Sequence, residues 1–353
     1  MKKKYFDILS GIQKKDSKPI ELNDRVLIVD GLNTFIRAFA ASAITSEQGY
    51  HIGGLTGFLL SLGYAVKNVN PTRIILAFDG KDGSQRRRKL FPEYKAGRKT
   101  HINVINTEFY NNKEEETQSM QVQLKRLIDY LEILPVQIIS IDKIEADDTI
   151  AYLTKHFRKQ FDSEVYIMST DKDFLQLVDD KVIVWSPTKK KFYSTEAIES
   201  EYDGLPSKNF IFLKTFTGDD SDNIPGIKGV GLKTLKKRIP FLFEKDREIF
   251  LEDIIKYVTE KEKECKLYET ISNSKNQLEL NYTLMQLHDV DISATTKEKI
   301  LNTIDQPINR MVKYKFISLL VADSINTIFK NPDVWIQTHF AKADGFASQT
   351  HIK

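Results

Sequence analysis

Short apolar runs closed by polar or acidic residues alternate with stretches of helical period through the first half of the chain. RVLIVD (25–30), RIILAFD (73–79), VQIIS (136–140) and VYIMST (165–170) are rich in β-branched residues and read as buried strands; VIVWS (182–186) reads as an edge strand. Residues 33–43, 53–68, 118–134 and 144–157 carry apolar positions at helical spacing. Strands alternating with helices predict an α/β fold with a mostly parallel central sheet flanked by helices. Residues 81–117 have little apolar content and no clear period, and after about residue 206 the pattern is helical. The expected partition is an N-terminal extension (1–24), an α/β core (25–205), a helical region (206–332) and a C-terminal tail (333–353).

Composition narrows the class without deciding it. The chain has 353 residues, 41% of them hydrophobic, ample for a large core. Its formal net charge is only +3, so any contact with a polyanion must come from local clustering. The single cysteine, Cys265, excludes an internal disulfide and a cysteine-based zinc site, and fits a reducing compartment. The basic start lacks the apolar stretch of a signal peptide, and no run approaches the ~20 apolar residues of a membrane span. These features predict a soluble cytoplasmic monomer with no membrane association.

Acidic residues supply the candidate chemistry. Asp30, Asp79 and Asp171 fall at or just past strand ends. In open parallel sheets, sites form beyond that edge. Glu145, Asp147 and Asp148 open a predicted helix, where the helix dipole favours acids; on an ideal helix Glu145 and Asp148 share a face that Asp147 does not. Asp173, Asp219 and Asp222 complete the set, while Asp220 reads as a solvated loop acid. Taken singly, each has an ordinary reading as a cap or turn former. Brought together, like charges raise one another's pKa. Two divalent cations, Mg²⁺ or Mn²⁺, would remove that penalty and equip the site for displacement at phosphorus.

Two basic segments accompany the acids. Residues 81–99 hold eight basic and two acidic residues, interleaved with Phe91 and Tyr94. A charge run is usually a solvated face, but basic groups with aromatics suit a single nucleic-acid strand. Residues 225–240 hold five basic residues and no acid. Gly226, Gly229 and Gly231 there permit a tight turn with close backbone approach. Such a turn can be a plain helix connector; the flanking Lys228, Lys233, Lys236 and Lys237, with Thr234, favour phosphate binding instead.

The series VDGLN (29–33), FDG…RRRKLFPEYKAGR (78–98), EADD (145–148), STDKDFLQL (169–177) and GDDSDNIPGIKGVGLKT (218–234) resembles, in order, the motifs of the 5′ nuclease family. That family includes flap endonucleases, free-standing phage and bacterial 5′–3′ exonucleases and the 5′-nuclease domain of bacterial DNA polymerase I. The resemblance implies a PIN-like core, a helical arch over residues 81–117 and a helix–hairpin–helix at about 219–240. It implies that Asp30, Asp79, Glu145 and Asp147 hold one cation, and that Asp171, Asp173, Asp219 and Asp222 surround the other with Asp148 nearby. Lys95 and Arg98 would stabilise charge at the scissile phosphate, and Arg86, Arg87 and Arg88 would steer substrate. Tyr94 is divided between base contact and packing. The hairpin would grip duplex DNA, with K⁺ at its turn. Implied substrates are DNA 5′ flaps and 5′ ends, and RNA–DNA hybrids, in replication and repair; a sliding clamp or a single-strand-binding protein is an implied partner. Two rivals are a PIN-type ribonuclease, which would lack residues 218–238, and a non-catalytic DNA-binding protein, in which the acids could be lost without effect.

Overall fold

The computed structural model describes residues 20–96 and 105–351. Five parallel strands form the sheet: β1 (Arg25–Asp30), β2 (Arg73–Asp79), β3 (Gln137–Ile141), β4 (Glu164–Met168) and β5 (Val182–Ser186). A three-residue strand, β6 (Lys191–Tyr193), adds antiparallel to β5, and the spatial order is β3-β2-β1-β4-β5-β6. The edge is therefore β6 and not residues 182–186; a three-residue strand is too short to show alternation in the sequence.

Because side chains alternate across a strand, β1 serves two cores. Val26 and Ile28 face one layer; Leu27 and Val29 face the other, and all four are fully buried. The second layer is built by α1 (Gly31–Ala41), α2 (Gly53–Val69) and α4 (Lys113–Leu131); α3 (Gln85–Leu90) precedes α4 in the chain. The first layer begins with α5 (Ala146–Phe161) and α7 (Phe210–Thr217), the latter following the short α6 (Thr195–Glu201). It continues through α8 (Leu232–Arg238), α9 (Leu251–Glu260), α10 (Lys266–Asn273), α11 (Lys275–Met285) and α12 (Ala294–Ile304). The chain then crosses to the second layer with α13 (Lys313–Ala322) and α14 (Pro332–Gln349). Among the described residues no helix is long and apolar enough to cross a membrane.

Two boundaries differ from the sequence reading. Residues 333–349 are not a tail: they lie in α14, whose Ile336, Phe340 and Ala343 are buried against the second layer and whose Ala347 is also buried. The stretch expected as an arch ends at Lys113, where α4 starts under an Asn112 cap that accepts from Glu115 N at 2.9 Å.

Since β1 to β5 run parallel, their carboxyl ends share one rim. Asp30 and Asp79 are the last residues of β1 and β2, and Asp171 lies three residues beyond β4.

Candidate active site

Asp30 caps α1: its Oδ1 accepts from Asn33 N at 3.2 Å and its Oδ2 from Ser169 Oγ at 2.8 Å. Burial pushes its carboxyl up to about 7; Asp171 and Asp79 add to the rise, while the bonds from Ser169 and Asn33 oppose it. Asp79 Oδ1 accepts from Ala146 N at 2.7 Å and so caps α5, a task the side chain of Glu145 leaves undone although Glu145 occupies the capping position. That bond holds the first turn of α5 at the rim. Asp147, on that turn, has its carboxyl driven well above the ordinary range by burial, then by Asp171 and Asp30. Asp171 turns back on the chain, accepting from Asp173 N at 2.9 Å, and its own N–H donates to Ser169 Oγ at 3.0 Å. A cleft of about 270 Å³ opens between these groups, lined by Asp30, Asn33, Arg37, Asp79, Lys95, Asp147, Asp171, Ser221 and Asp222 among others.

Five of the nine expected carboxylates thus share one cleft: Asp30, Asp79, Asp147, Asp171 and Asp222. The other four are held by cations of the protein itself. Arg87, 3% exposed, pairs with Glu145 and, at 2.9 Å, with Asp148, which Arg86 also reaches at 3.1 Å. Burial alone would raise the Glu145 carboxyl; Arg87 and Lys95 overcome it and hold the group below its ordinary value. Lys214 bridges Asp173 and Asp219 at 2.9 and 2.6 Å. Burial still lifts Asp173 to about 7, with Asp171 adding and Lys214 opposing, whereas Asp219, against the same pull of burial, is held low by Lys214 and Ser221. The face shared by Glu145 and Asp148 is the one Arg87 takes, and Asp147 is left to the cleft.

These pairs correct part of the basic assignment. Arg87 is buried and committed to acids, so it is not available to steer substrate, and Arg86 is half-engaged in the same network. Tyr94 is 2% exposed with its hydroxyl 3.3 Å from Glu145, which makes it a packing residue and removes it from base stacking. Arg88 is exposed on α3. Lys95 does line the cleft: its Nζ pairs with Glu145, its N–H donates to Asp222 O at 3.0 Å, and its φ of +58° is the left-handed conformation a turn imposes. Burial works against its charge, but Glu145, Asp222 and Asp147 hold the ammonium above its ordinary pKa. Arg98 lies outside the described residues.

Further along, residues 218–231 connect α7 to α8. A β-bridge joins Asp219 to Ile224. A Cβ on Gly226 would meet Thr217 O at 2.1 Å, so the backbones approach too closely for any side chain. Gly229 adopts φ +83°; Gly231 needs no such freedom, and a Cβ there meets nothing. Thr234 Oγ1 donates to Gly229 O at 3.2 Å, and Gln277 and Asn281 of α11 each donate to Pro225 O at 2.8 Å. Lys228, Lys233, Lys236 and Lys237 are exposed around this turn.

Sequence reasoning missed Lys214, Asn33, Ser169 and Arg37. Lys214 had a signal: it is the one charge in FIFLKTFT, a helix otherwise buried on most sides. Asn33 and Ser169 sit inside VDGLN and STDKD but carry no charge to draw notice; Asn33 Oδ1 accepts from Thr170 Oγ1 at 2.7 Å and so ties α1 to the segment that presents Asp171.

Among the described residues, no three Asp, Glu, His or Cys side chains close into a ready cage for one ion. The cleft nonetheless fits hard divalent cations in chemistry: its acidic donors are all carboxylate oxygens. Asp30 and Asp147 are both forced toward their protonated forms by burial and by the charge of Asp171, a penalty that cations would lift.

A model of the N-terminal resolvase-like domain of 5′-3′ exonucleases matches residues 25–203. A 5′-3′ exonuclease of Bacillus subtilis is 31% identical over 289 residues, covering 79% of this chain and 88% of that protein. DNA polymerase I of the same organism is 32% identical over 220 residues, 60% of this chain but only 23% of the polymerase, so the match spans about a quarter of that protein's length. A solved structure of the flap endonuclease of bacteriophage T5, in a pseudo-enzyme-product complex with DNA and metal ions, superposes with a TM-score of 0.59 at 22% identity, covering 85% of this chain and 99% of that one; at that identity it supports the fold.

Proposed function

The chain belongs to the 5′–3′ exonuclease family, a family of nucleases, and we propose that it cuts DNA at 5′ flaps and 5′ ends with two divalent cations, Mg²⁺ or Mn²⁺. The observation that carries this reading is the meeting of Asp30, Asp79, Asp147, Asp171 and Asp222, from five separate segments, around one cleft. Bound there, the cations would neutralise the carboxylates, polarise the phosphodiester and supply activated water.

The chain's own residues do the rest. Asp79 fixes the entry turn of α5 through Ala146 N, which sets Asp147. Asn33 and Ser169 lock the Asp30 and Asp171 segments to each other. Lys95, at the cleft wall with its charge secured, is placed to meet negative charge building on the phosphoryl oxygens. Arg37 offers a second cation at the mouth. The lysines at 228, 233, 236 and 237 would grip duplex phosphates without reading sequence, with K⁺ at the Gly229 turn. Such contacts extend to RNA-primed ends in replication and repair.

Incubation of a 5′-flap oligonucleotide with the protein in Mg²⁺ and in chelator tests the reading. Cleavage is expected in Mg²⁺ alone, and Asp171→Ala is expected to abolish it while flap binding stays within several-fold. Undiminished cleavage by that variant would reject the assigned chemistry, and a wild type that binds but never cuts would favour the non-catalytic rival.

A further inference from the structure

His51 sits at the centre of a cluster the carboxylate cleft does not use. The residue is 6% exposed. Its Nε2 lies 2.8 Å from the Ser42 carbonyl and its Nδ1 2.8 Å from Tyr110 Oη. A carbonyl can only accept, so Nε2 carries a proton. Burial holds the imidazole below its ordinary pKa, against the Ser42 bond and the charge of Glu116. In the neutral ring Nδ1 is then an acceptor facing the Tyr110 hydroxyl, which also lies 2.7 Å from Ser119 Oγ. Phe109 stacks on the ring at 4.7 Å and Phe39 meets it edge-on at 4.9 Å.

Neighbouring bonds run the same way. Asn106 Nδ2 donates to Phe39 O at 2.7 Å, and the buried Glu116 accepts from Ile105 N and Asn106 N at 2.7 and 2.8 Å. Gln123 of α4 donates to His51 O at 2.8 Å and accepts from Gly54 N and Leu55 N at 3.0 and 3.2 Å. Residues 105–112 are thereby tied to α1 and to the connection that follows it, and α4 is tied to α2. Ten residues before this stretch stands Lys95; α1 carries Asn33, Ile36 and Arg37 into the cleft.

We propose that His51 is a positioning residue: with Tyr110 it clamps residues 105–112 onto the C-terminal end of α1, and so holds the cleft wall that α1 supplies through Asn33, Ile36 and Arg37 where a 5′ strand meets it. The inference rests on the nuclease reading above. His51→Phe keeps the ring contacts and removes both polar ones; Tyr110→Phe removes the shared bond and the 2.7 Å bond to Ser119 Oγ. In each, kcat on 5′-flap DNA is expected to fall about tenfold, as a small misplacement of strand and cation would cause, with KM changed less than about twofold. The double variant should lose less than the product of the two single losses, because both remove the shared bond. Chymotrypsin cleavage after Phe109, which stacks on His51, should accelerate in all three. An active wild type whose variants match it in kcat, whose losses multiply, or whose chymotrypsin rates are unchanged overturns the inference. Should His51→Phe fail to fold, Tyr110→Phe, at a half-exposed position, delivers both readouts alone. A wild type inert on flap DNA rejects the nuclease reading itself and this inference with it.

Discussion

Asp147 and Asp148 are neighbours in the chain with opposite surroundings. Asp148 is enclosed by two arginines at 2.9 and 3.1 Å, whereas Asp147 faces Asp171 and Asp30. One is a paired structural acid and the other a crowded one, and the difference decides what a substitution does. Arg87→Ala would take one of two cationic partners from each of two buried carboxylates, leaving Glu145 to Lys95 and Asp148 to Arg86. It is expected to cost about 3–5 kcal/mol in urea denaturation; a loss of DNA affinity with unchanged stability would restore its role as a steering residue. The crowded group gives a pH signature instead. The carboxyl of Asp30 rises from 3.8 to about 7 in the folded protein. Between those values the folded state keeps a proton the unfolded chain has lost, so without metal this group's contribution to stability falls as pH climbs through the window and levels off above it. Cation binding needs the deprotonated form and must displace that proton. Calorimetry of Mg²⁺ binding in buffers of different ionisation enthalpy should show proton release at pH 6 and almost none at pH 8.5; equal release at both would contradict the assignment of Asp30.

At the scale of elements, α14 gives the sharpest test. Phe340 is fully buried, beside Ile336, Ala343 and Ala347 on one face, and Trp335 stacks on Phe316 of α13 at 5.6 Å. Phe340→Ala is expected to lower stability by about 3–5 kcal/mol; a change near zero in thermal or urea melting would return residues 333–349 to the status of a tail. Its helical spacing was present in the sequence, but with only four of eighteen residues buried it was outweighed by polar neighbours. The strands were legible because burial on both faces leaves nearly unbroken β-branched runs, and their acidic ends pointed to the rim. Partner choice was not legible. Arg87 meets Glu145 and Asp148 across 58 and 61 residues of chain, and Lys214 reaches Asp173 across a helix boundary. A basic run that folds inward to satisfy acids has the same composition as one that faces a polyanion; only the packing of α3 against α5 and α11 tells them apart.

Across the whole molecule the net charge of +3 conceals a division between an acidic cleft and a cationic turn. Such a division lets one surface hold a phosphate backbone while another gathers cations against it, with no need for a strongly basic chain. The two have different salt responses. Lys228, Lys233 and Lys237 are exposed around the turn, whereas Lys236 is drawn to the Asp203 carbonyl. If the first three each neutralise one duplex phosphate, the slope of log Kd against log salt should flatten by roughly 0.9 for each lysine removed. The triple variant to glutamine should therefore bind duplex more weakly and with a slope shallower by about 2–3, yet cut a flap at saturating DNA with nearly the wild-type kcat, because none of the three lines the cleft. An unchanged slope would move duplex binding elsewhere on the surface. A collapse of kcat at saturation would mean that the turn and the cleft act as one element, with gripping and cutting inseparable.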